Sequence, residues 1–493
     1  MAIKELTVFM VCSWIVCADV GHEFFSSTDQ IAQLYGKMKD LLKVFSQCID
    51  AEKNNVETMK SVLLNLLLSY TDSENPEEAM RNPVAAYRLL RQLRNDLIYI
   101  EKHIQPNLYQ CEEYQDELDA KILEIPQLKD VDGAASGLIR LQEIYKLHPE
   151  DITKETSLNA DEAYNVGLVA YYEDKFQHAF LWFLYSLDRL TEYSTTTEEE
   201  LLRYLSSSAY HFGSLPVAIY FSQELLNLDP SNDEVRVQLN WLLRLQSNPD
   251  IFTLNTESSN YETLCRGEVD ERTSKRQRAL SCRYSTGGRN PRLMYAPVKE
   301  EMEWDEPQII RYHDIISDRE IEFLKNISRP QLSRSEVYED GRGRVTEKRV
   351  AQSVFLKSNH PMEVRVSQRI ADVTGLSTTT AEPLLVQNYG IGGRYEPHDD
   401  ALKIVNDRIA TFLIYMSDVE IGGATVFPEV GVAVQPKKGS AVFWYNLHKN
   451  GKLDLKMEHA GCPVLVGNKW VANKWIHEFG QEFRRPCSLS EWE

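Results

Sequence analysis

The sequence predicts two unlike halves, an all-α N-terminal half followed by a C-terminal antiparallel β domain of the double-stranded β-helix, or jelly-roll, type. Three observations carry this. Apolar residues recur at heptad spacing from Ile31 onward. Two helical hairpins of about tetratricopeptide length, roughly 34 residues each, occupy the middle. From Arg408 onward, short β-branched and aromatic runs alternate with Gly and Pro turns. A length of 493 residues fits three or so domains.

The chain opens on a charged residue, Lys4, then an apolar run, LTVFMVCSWIV, then Val16-Cys17-Ala18. This is the plan of a secretory signal peptide cleaved after Ala18, and the run is too short to span a bilayer comfortably. Residues 1–18 are therefore set aside, and the mature chain is expected in a secretory lumen.

From 19 to 150 the pattern is helical. Ile31, Leu34, Met38, Leu41, Phe45, Cys48, Met59, Val62 and Leu66 form a seam interrupted by Glu52 and Asn55. A second helix, begun by Asn82-Pro83, places Ala86, Leu90, Leu93, Leu97, Ile100 and Ile104 on one side. The seam suits either a coiled coil with a second copy or a helical pair within one chain; a polar break in a heptad, which often sets register, favours the coiled coil.

Residues 155–250 contain NADEAYNVGLVAYYEDKFQHAFLWFLYSLDRL and TEEELLRYLSSSAYHFGSLPVAIYFSQELLNLDPSN, whose small and aromatic residues are spaced as in tetratricopeptide units. Tyr164, Leu168 and Tyr171 share a helical face, and Tyr204 and Tyr210 would join them from the next hairpin. Such a row of rings suits a polyproline II ligand, although the same tyrosines could simply pack the repeat.

Residues 251–300 form a linker with a basic stretch, Arg272 to Arg283, between Cys265 and Cys282. Beyond the signal segment six cysteines remain, Cys48, Cys111, Cys265, Cys282, Cys462 and Cys487, an even number that suggests disulfides in an oxidising compartment. Asn326-Ile327-Ser328 is a glycosylation sequon. The net charge of −20 argues against a nucleic-acid partner.

The chemistry is concentrated in residues 301–493. His398 and Asp400 are two apart, on one face of an extended strand, and His459 follows after several strands. Two imidazoles and one carboxylate suit a ferrous ion with open positions. His448 and His477 are rival third ligands, but Lys469 stands ten residues after His459, placed to anchor a dicarboxylic acid. Lys469, Val471, Asn473 and Trp475 share one face of the last strand.

These residues sit within long motifs: NYGIGGRYEPHDD, RIATFLIYMSDVEIGGATVFPEVG, KKGSAVFWYNL, CPVLVGNKWVANKWIHEFGQEFRRPC and, earlier, YETLCRGE and IIRYHDIISD. In them the chain resembles the Fe(II)- and 2-oxoglutarate-dependent prolyl 4-hydroxylases, and in particular the α subunits of the collagen enzymes. The resemblance implies that His398, Asp400 and His459 bind iron and that Lys469 pairs with the distal carboxylate of 2-oxoglutarate. It implies that Tyr389 and Thr411 contact that co-substrate, and that Tyr395 and Trp475 stand beside the reacting proline. It implies the bridges Cys265–Cys282 and Cys462–Cys487, and a peptide groove using Tyr164, Tyr171, Tyr204 and Tyr210. O₂ and ascorbate are the further cofactors it implies. Its partners would be protein disulfide isomerase as β subunit, which supplies the retention in the endoplasmic reticulum that the ending Trp492-Glu493 lacks, and a second copy through the N-terminal coiled coil, giving α₂β₂.

The chain departs from that family in two places, and in one of them the segment after Asp400 is shorter than the resemblance leads to expect. In the other, Glu234, Gln238 and Trp241 stand where the resemblance leads to an arginine, an asparagine and a tyrosine. The reading is thus a procollagen-proline 4-dioxygenase acting on Xaa-Pro-Gly. Its rivals are a lysyl or prolyl 3-hydroxylase, and a non-catalytic chaperone or assembly subunit that binds proline-rich peptides.

Overall fold

The computed structural model describes residues 23–51, 56–70, 75–103, 114–246, 259–272, 280–288, 290–339 and 342–489. The signal-peptide expectation, Cys111 and part of the linker lie outside these residues.

The first helices are α1 (Thr28–Ala51), α2 (Val56–Ser69), α3 (Pro83–His103) and α4 (Leu128–Tyr145). The Asn82 side chain caps α3, accepting from the N–H groups of Val84 (2.9 Å) and Ala85 (3.1 Å), as its place before Pro83 suggests. Ile31, Leu34, Met38, Leu41 and Phe45 are each 0% exposed, in one core with Leu90, Leu93 and Leu97 of α3. This corrects the coiled-coil expectation for those seam residues. An amphipathic stripe buries against whatever apolar face is nearest, and α3 supplies one within the same chain. On α2 it is Leu64 and Leu68 that remain exposed.

The repeat region consists of α5 (Ala160–Tyr172), α6 (Phe176–Leu187), α7 (Glu198–His211), α8 (Leu215–Leu228) and α9 (Asp233–Gln246). Capping boxes start two of these helices, Asn159 with Glu162 and Thr197 with Glu200. The repeat packs on α4 through buried Trp182, whose indole donates to Gln142 Oε1 (3.0 Å).

After the short α10 (Asn260–Cys265) come β1 (Cys282–Ser285), β2 (Val298–Trp304), β3 (Ile309–His313), α11 (Asp318–Ser328), β4 (Ser333–Arg334), β5 (Val337–Glu339), β6 (Arg342–Arg344), β7 (Ala351–Phe355) and α12 (Pro361–Thr374). The domain continues with β8 (Leu385–Tyr389), β9 (Tyr395–His398), β10 (Arg408–Tyr415), β11 (Val419–Gly422), β12 (Thr425–Phe427), β13 (Val432–Val434) and β14 (Ala441–Tyr445). It closes with β15 (His459–Gly461), β16 (Val464–Gly467) and β17 (Trp470–His477). Nine strands form one sheet in the order β1-β2-β3-β14-β10-β17-β8-β7-β4, and β13-β12-β15-β9 form a smaller one. The pairings are antiparallel, as expected of a jelly roll, and the site lies between the two sheets.

The disulfide pairing differs from the family-based expectation. Cys265 bonds to Cys462, with Cα atoms 5.5 Å apart, while Cys282 and Cys487 are free and exposed. The reason is topological. Cys265 ends α10, which packs against β12 and β13 of the small sheet, and Cys462 follows β15 in that same sheet. Cys282 sits instead on the edge strand β1, opposite Glu301. Cys48 is itself disulfide-bonded.

Candidate active site

Antiparallel pairing of β9 with β15 sets His398 directly opposite His459. Each Nδ1 is fixed by a carbonyl two residues earlier, Glu396 O at 2.7 Å for His398 and Met457 O at 3.1 Å for His459. The carbonyls require a proton on Nδ1, so both Nε2 lone pairs face the cavity. Asp400 is 4% exposed, with Oδ2 3.5 Å from His459 Nε2 and Oδ1 3.9 Å from His398 Nε2. One ligand atom from each of the three lies within 4.8 Å of the others.

Charge supports the grouping. Burial, then the neighbouring His459, pushes His398 down to about 3, which keeps it the neutral imidazole that a metal needs. Burial would raise Asp400, but His459, His398, Arg408 and the Thr411 hydroxyl together hold it below the usual carboxylate range. A buried set of two nitrogens and one carboxylate fits a divalent first-row ion with free positions.

Lys469 immediately precedes β17 and is 2% exposed. Burial lowers its ammonium to about 7. Its Nζ stands 4.7 Å from the Tyr389 ring centroid, and among the described residues no carboxylate offsets the effect of its burial. A buried cation without a counter-ion is costly unless a ligand supplies the anion, so the residue fits a carboxylate arriving with the co-substrate. Burial likewise pushes the Tyr389 phenol up to about 12, which keeps it a hydrogen-bond donor.

Tyr395 stacks on His398 with centroids 3.5 Å apart, and the Arg349 guanidinium lies 4.7 Å from the Tyr395 ring. The Trp475 ring is covered by Arg408 at 3.8 Å. Arg408 donates to both oxygens of Glu382 (2.5 and 3.0 Å), which also takes His477 Nε2 at 3.1 Å. His477 is thereby held away from the metal position, and His448 lies instead 3.7 Å from Asp454. Tyr389, Tyr395, His398, Asp400, His459, Lys469 and Trp475 all line one cavity. It opens into a groove bordered by the β5–β6 hairpin on one side and residues 399–404 on the other.

Thr411 is 0% exposed, its hydroxyl donates to Asp400 Oδ2 at 2.6 Å, and Asn446 Nδ2 donates to it at 3.0 Å. The register of β10 thus turns its hydroxyl toward Asp400, behind the residues that line the cavity. Arg349, Gln387 and Asn473 also line the cavity, and sequence reasoning missed their roles. Strand alternation was the available signal: Gln387 shares a face with Tyr389, and Asn473 with Trp475. Asn473 Oδ1, Trp475 Nε1 and Arg349 Nε are buried without hydrogen-bond partners.

Of the four tyrosines of the repeat region, Tyr164, Tyr171 and Tyr204 form one half-buried group across α5 and α7, and half-buried Tyr210 lies further along α7. Tyr204 lies 5.9 Å from Tyr164 and 5.2 Å from Tyr171, whose hydroxyl meets Ser207 Oγ at 2.7 Å. Phe176 stacks on His211 at 4.3 Å, and Tyr210 meets Trp241 of α9 at 5.0 Å. Trp241 thus extends the aromatic row onto the third helix.

Three family profiles match the chain in succession. Residues 27–158 match the prolyl 4-hydroxylase alpha-subunit N-terminal region, 160–248 the prolyl 4-hydroxylase peptide-substrate-binding domain, and 384–477 the 2OG-Fe(II) oxygenase superfamily. Prolyl 4-hydroxylase subunit alpha-1 of Rattus norvegicus is 40% identical over 95% of this chain and 96% of its own length. The chain belongs to the prolyl 4-hydroxylase α-subunit family. Within that family it is also similar to subunit alpha-1 of Homo sapiens, at 40% identity over the same shares, and to subunit alpha-2 of Caenorhabditis elegans, at 33% identity over 98% of this chain and 96% of that one.

Membership accounts for the cavity. The oxygenases of this superfamily use Fe(II) and 2-oxoglutarate, and the His398, Asp400, His459 cluster fits the metal. Asn326 is exposed in the last turn of α11, with Oδ1 accepting from Arg329 Nη1 at 2.8 Å, a helical setting in place of the surface loop that a sequon suggests. Among the described residues no helix is long and apolar enough to cross a membrane.

Proposed function

We propose that this α-subunit family member is a procollagen-proline 4-dioxygenase, which hydroxylates C4 of proline in Xaa-Pro-Gly sequences of collagen-like chains. One O₂ and one 2-oxoglutarate would be consumed, giving 4-hydroxyproline, succinate and CO₂, with ascorbate restoring iron oxidised in uncoupled turnover. The observation that carries the reading is the pairing, in one cavity, of the His398, Asp400, His459 cluster with a buried lysine that has no counter-ion among the described residues.

Fe(II) with 2-oxoglutarate supplies the oxidising power, and the protein's share is to hold the reactants in register. In this reading His398, Asp400 and His459 hold the ion, and Thr411 fixes the carboxylate. Lys469 and Tyr389 receive the distal carboxylate of 2-oxoglutarate. Tyr395 and Trp475 flank the proline ring, with Arg408 and Glu382 steadying the indole. Aromatic walls keep water from the reacting carbon. The row Tyr164, Tyr171, Tyr204 and Tyr210 binds the proline-rich chain away from the iron, and Trp241 widens that row.

The same reading divides the chain into a signal peptide (1–18), a helical dimerisation domain (19–150), a peptide-binding domain (155–250), a linker (251–300) and the oxygenase domain (301–493). It places the protein in the endoplasmic reticulum lumen, glycosylated at Asn326 and paired with protein disulfide isomerase. Self-association through the N-terminal helices would give α₂β₂, and exposed Leu64 and Leu68 support such a contact. The test is mass spectrometry of a Pro-Pro-Gly repeat peptide incubated with the chain, co-expressed with the isomerase and given Fe(II), 2-oxoglutarate and ascorbate. Hydroxyproline before glycine, matched by succinate, is the expected result. Succinate without modified peptide would move the reading to another substrate, and no succinate would favour a non-catalytic binding subunit.

A further inference from the structure

The strand carrying Tyr389 is held from behind by the first described residues of the chain. Side chains alternate along β8, so Gln387 and Tyr389 line the cavity while Asn388 points to the opposite face. Asn388 is fully buried, and its carboxamide is satisfied on both sides. Its oxygen accepts from Ser27 Oγ (2.6 Å) and from the Asp29 N–H (3.2 Å). Its amide donates to Asn468 Oδ1 (2.6 Å) and to the Lys469 carbonyl (3.2 Å). Thr28 Oγ1 lies 3.1 Å from the Tyr389 carbonyl and 2.9 Å from Asn468 Oδ1, and its single proton serves either acceptor. The Ile391 N–H donates to the Phe25 carbonyl at 3.0 Å. This knot fixes the backbone at Tyr389 and at Lys469, the two residues whose side chains meet on the cavity side.

The loop that follows Tyr389 is held equally closely by the turn at Phe25 and by α4. A Cβ on Gly390 would stand 2.0 Å from the Phe25 carbonyl oxygen, and one on Gly137 would stand 2.5 Å from the Ile391 carbonyl oxygen. Arg140, 7% exposed, donates to the Gly392 carbonyl at 3.1 Å. Backbone meets backbone here, so the contact cannot slide without opening hydrogen bonds that water does not reach.

We infer that Ser27 and Thr28 are positioning residues for the 2-oxoglutarate half of the cavity, acting through Asn388 and Asn468 on the backbones of Tyr389 and Lys469. The inference rests on the assignment of Lys469 to 2-oxoglutarate given above. The N-terminal helical region is, in consequence, part of the oxygenase site as well as a neighbour of it. General glue between two domains would weaken every ligand alike, whereas a positioning role weakens one.

The test uses the full chain with Mn(II) in place of iron, so that ligand binding is read by calorimetry without turnover. In the variant Ser27→Ala/Thr28→Val the dissociation constant for 2-oxoglutarate should rise about five- to twentyfold, because buried amides lose their partners. Affinities for Mn(II) and for a proline-rich peptide should stay within about twofold of the unaltered chain. If the double variant does not fold, the near-isosteric Thr28→Val is read by the same comparison. An unchanged 2-oxoglutarate constant in a folded variant would overturn the inference, as would equal weakening of all three ligands. Absence of 2-oxoglutarate binding by the unaltered chain would instead remove the assignment of Lys469, and the inference with it.

Discussion

His398 and His459 are direct cross-strand partners, their ring centroids 4.4 Å apart, although 61 positions separate them in the chain. Neither ring can move without the strand that carries it, so the metal site is as rigid as the β9–β15 ladder. Replacing His459 by Ala should therefore abolish metal retention and turnover together, each by at least about 100-fold, since two protein ligands hold Fe(II) poorly. Metal content after gel filtration and succinate release are the two measurements. Retained activity would move the third ligand to His448 or His477.

Thr411 gives a finer version of the same experiment. Thr411→Val keeps the shape and deletes the hydroxyl that donates to Asp400. Metal affinity should fall about 10- to 100-fold, the usual effect of losing a group that orients a ligand. The 2-oxoglutarate requirement at saturating iron should change far less. If the requirement rises while iron affinity holds, Thr411 contacts the co-substrate after all.

Lys469 makes co-substrate binding depend on pH. Burial lowers its ammonium to about 7. A bound carboxylate favours the charged form, so binding above about pH 7 takes up a proton and weakens as pH rises, by up to about tenfold per unit. Below that pH the lysine is already charged and binding is flat with respect to this group. Lys469→Arg should lose the dependence, and Lys469→Ala should raise the 2-oxoglutarate requirement strongly while sparing metal. Calorimetry near about pH 8 in buffers of different ionisation enthalpy measures the proton directly.

The cysteine connectivity is open to a chemical check. Digestion without reduction should yield a linked peptide containing Cys265 and Cys462. Cys462→Ser should lower stability by about 2–5 kcal/mol, as expected for a bridge closing a long loop. Cys487→Ser, at an exposed free thiol, should change it by less than about 0.5 kcal/mol. A linked Cys265–Cys282 peptide would restore the pairing that the family resemblance implies.

The aromatic row is tested by Tyr204→Ala, at the centre of the contacts with Tyr164 and Tyr171. Affinity for a proline-rich peptide should drop by about 1–2 kcal/mol, the scale of a lost aromatic contact, with 2-oxoglutarate binding unaltered. Equal peptide affinity in the variant would leave these tyrosines as packing alone.

The grouping of His398, Asp400 and His459 with Lys469 in one cavity was legible because strand alternation and turn chemistry are local, and because the motifs around them are long. The tetratricopeptide-like helices were legible for a similar reason, from the spacing of their small and aromatic residues. What stayed hidden was set by contacts between distant segments. The partner of Cys462 is 197 positions away, and no spacing rule distinguishes it from Cys487. The seam from Ile31 to Phe45 reads identically whether α3 or a second copy covers it. The bond from Thr411 to Asp400 stayed hidden because it depends on β10 register, which is fixed only when β14 and β17 are in place.

The reach from Ser27 to Asn388 has a consequence in time. During synthesis the hydroxyls of Ser27 and Thr28 leave the ribosome 361 positions ahead of the groups they bind. At ordinary elongation rates the interval is about 20–70 s. The oxygenase sheet must therefore close around a segment made long before it, and protease protection of residues 23–30 should lag until the last strands have emerged. For that interval the nascent chain carries an unfinished seam at its leading end, so folding of the last domain completes the first.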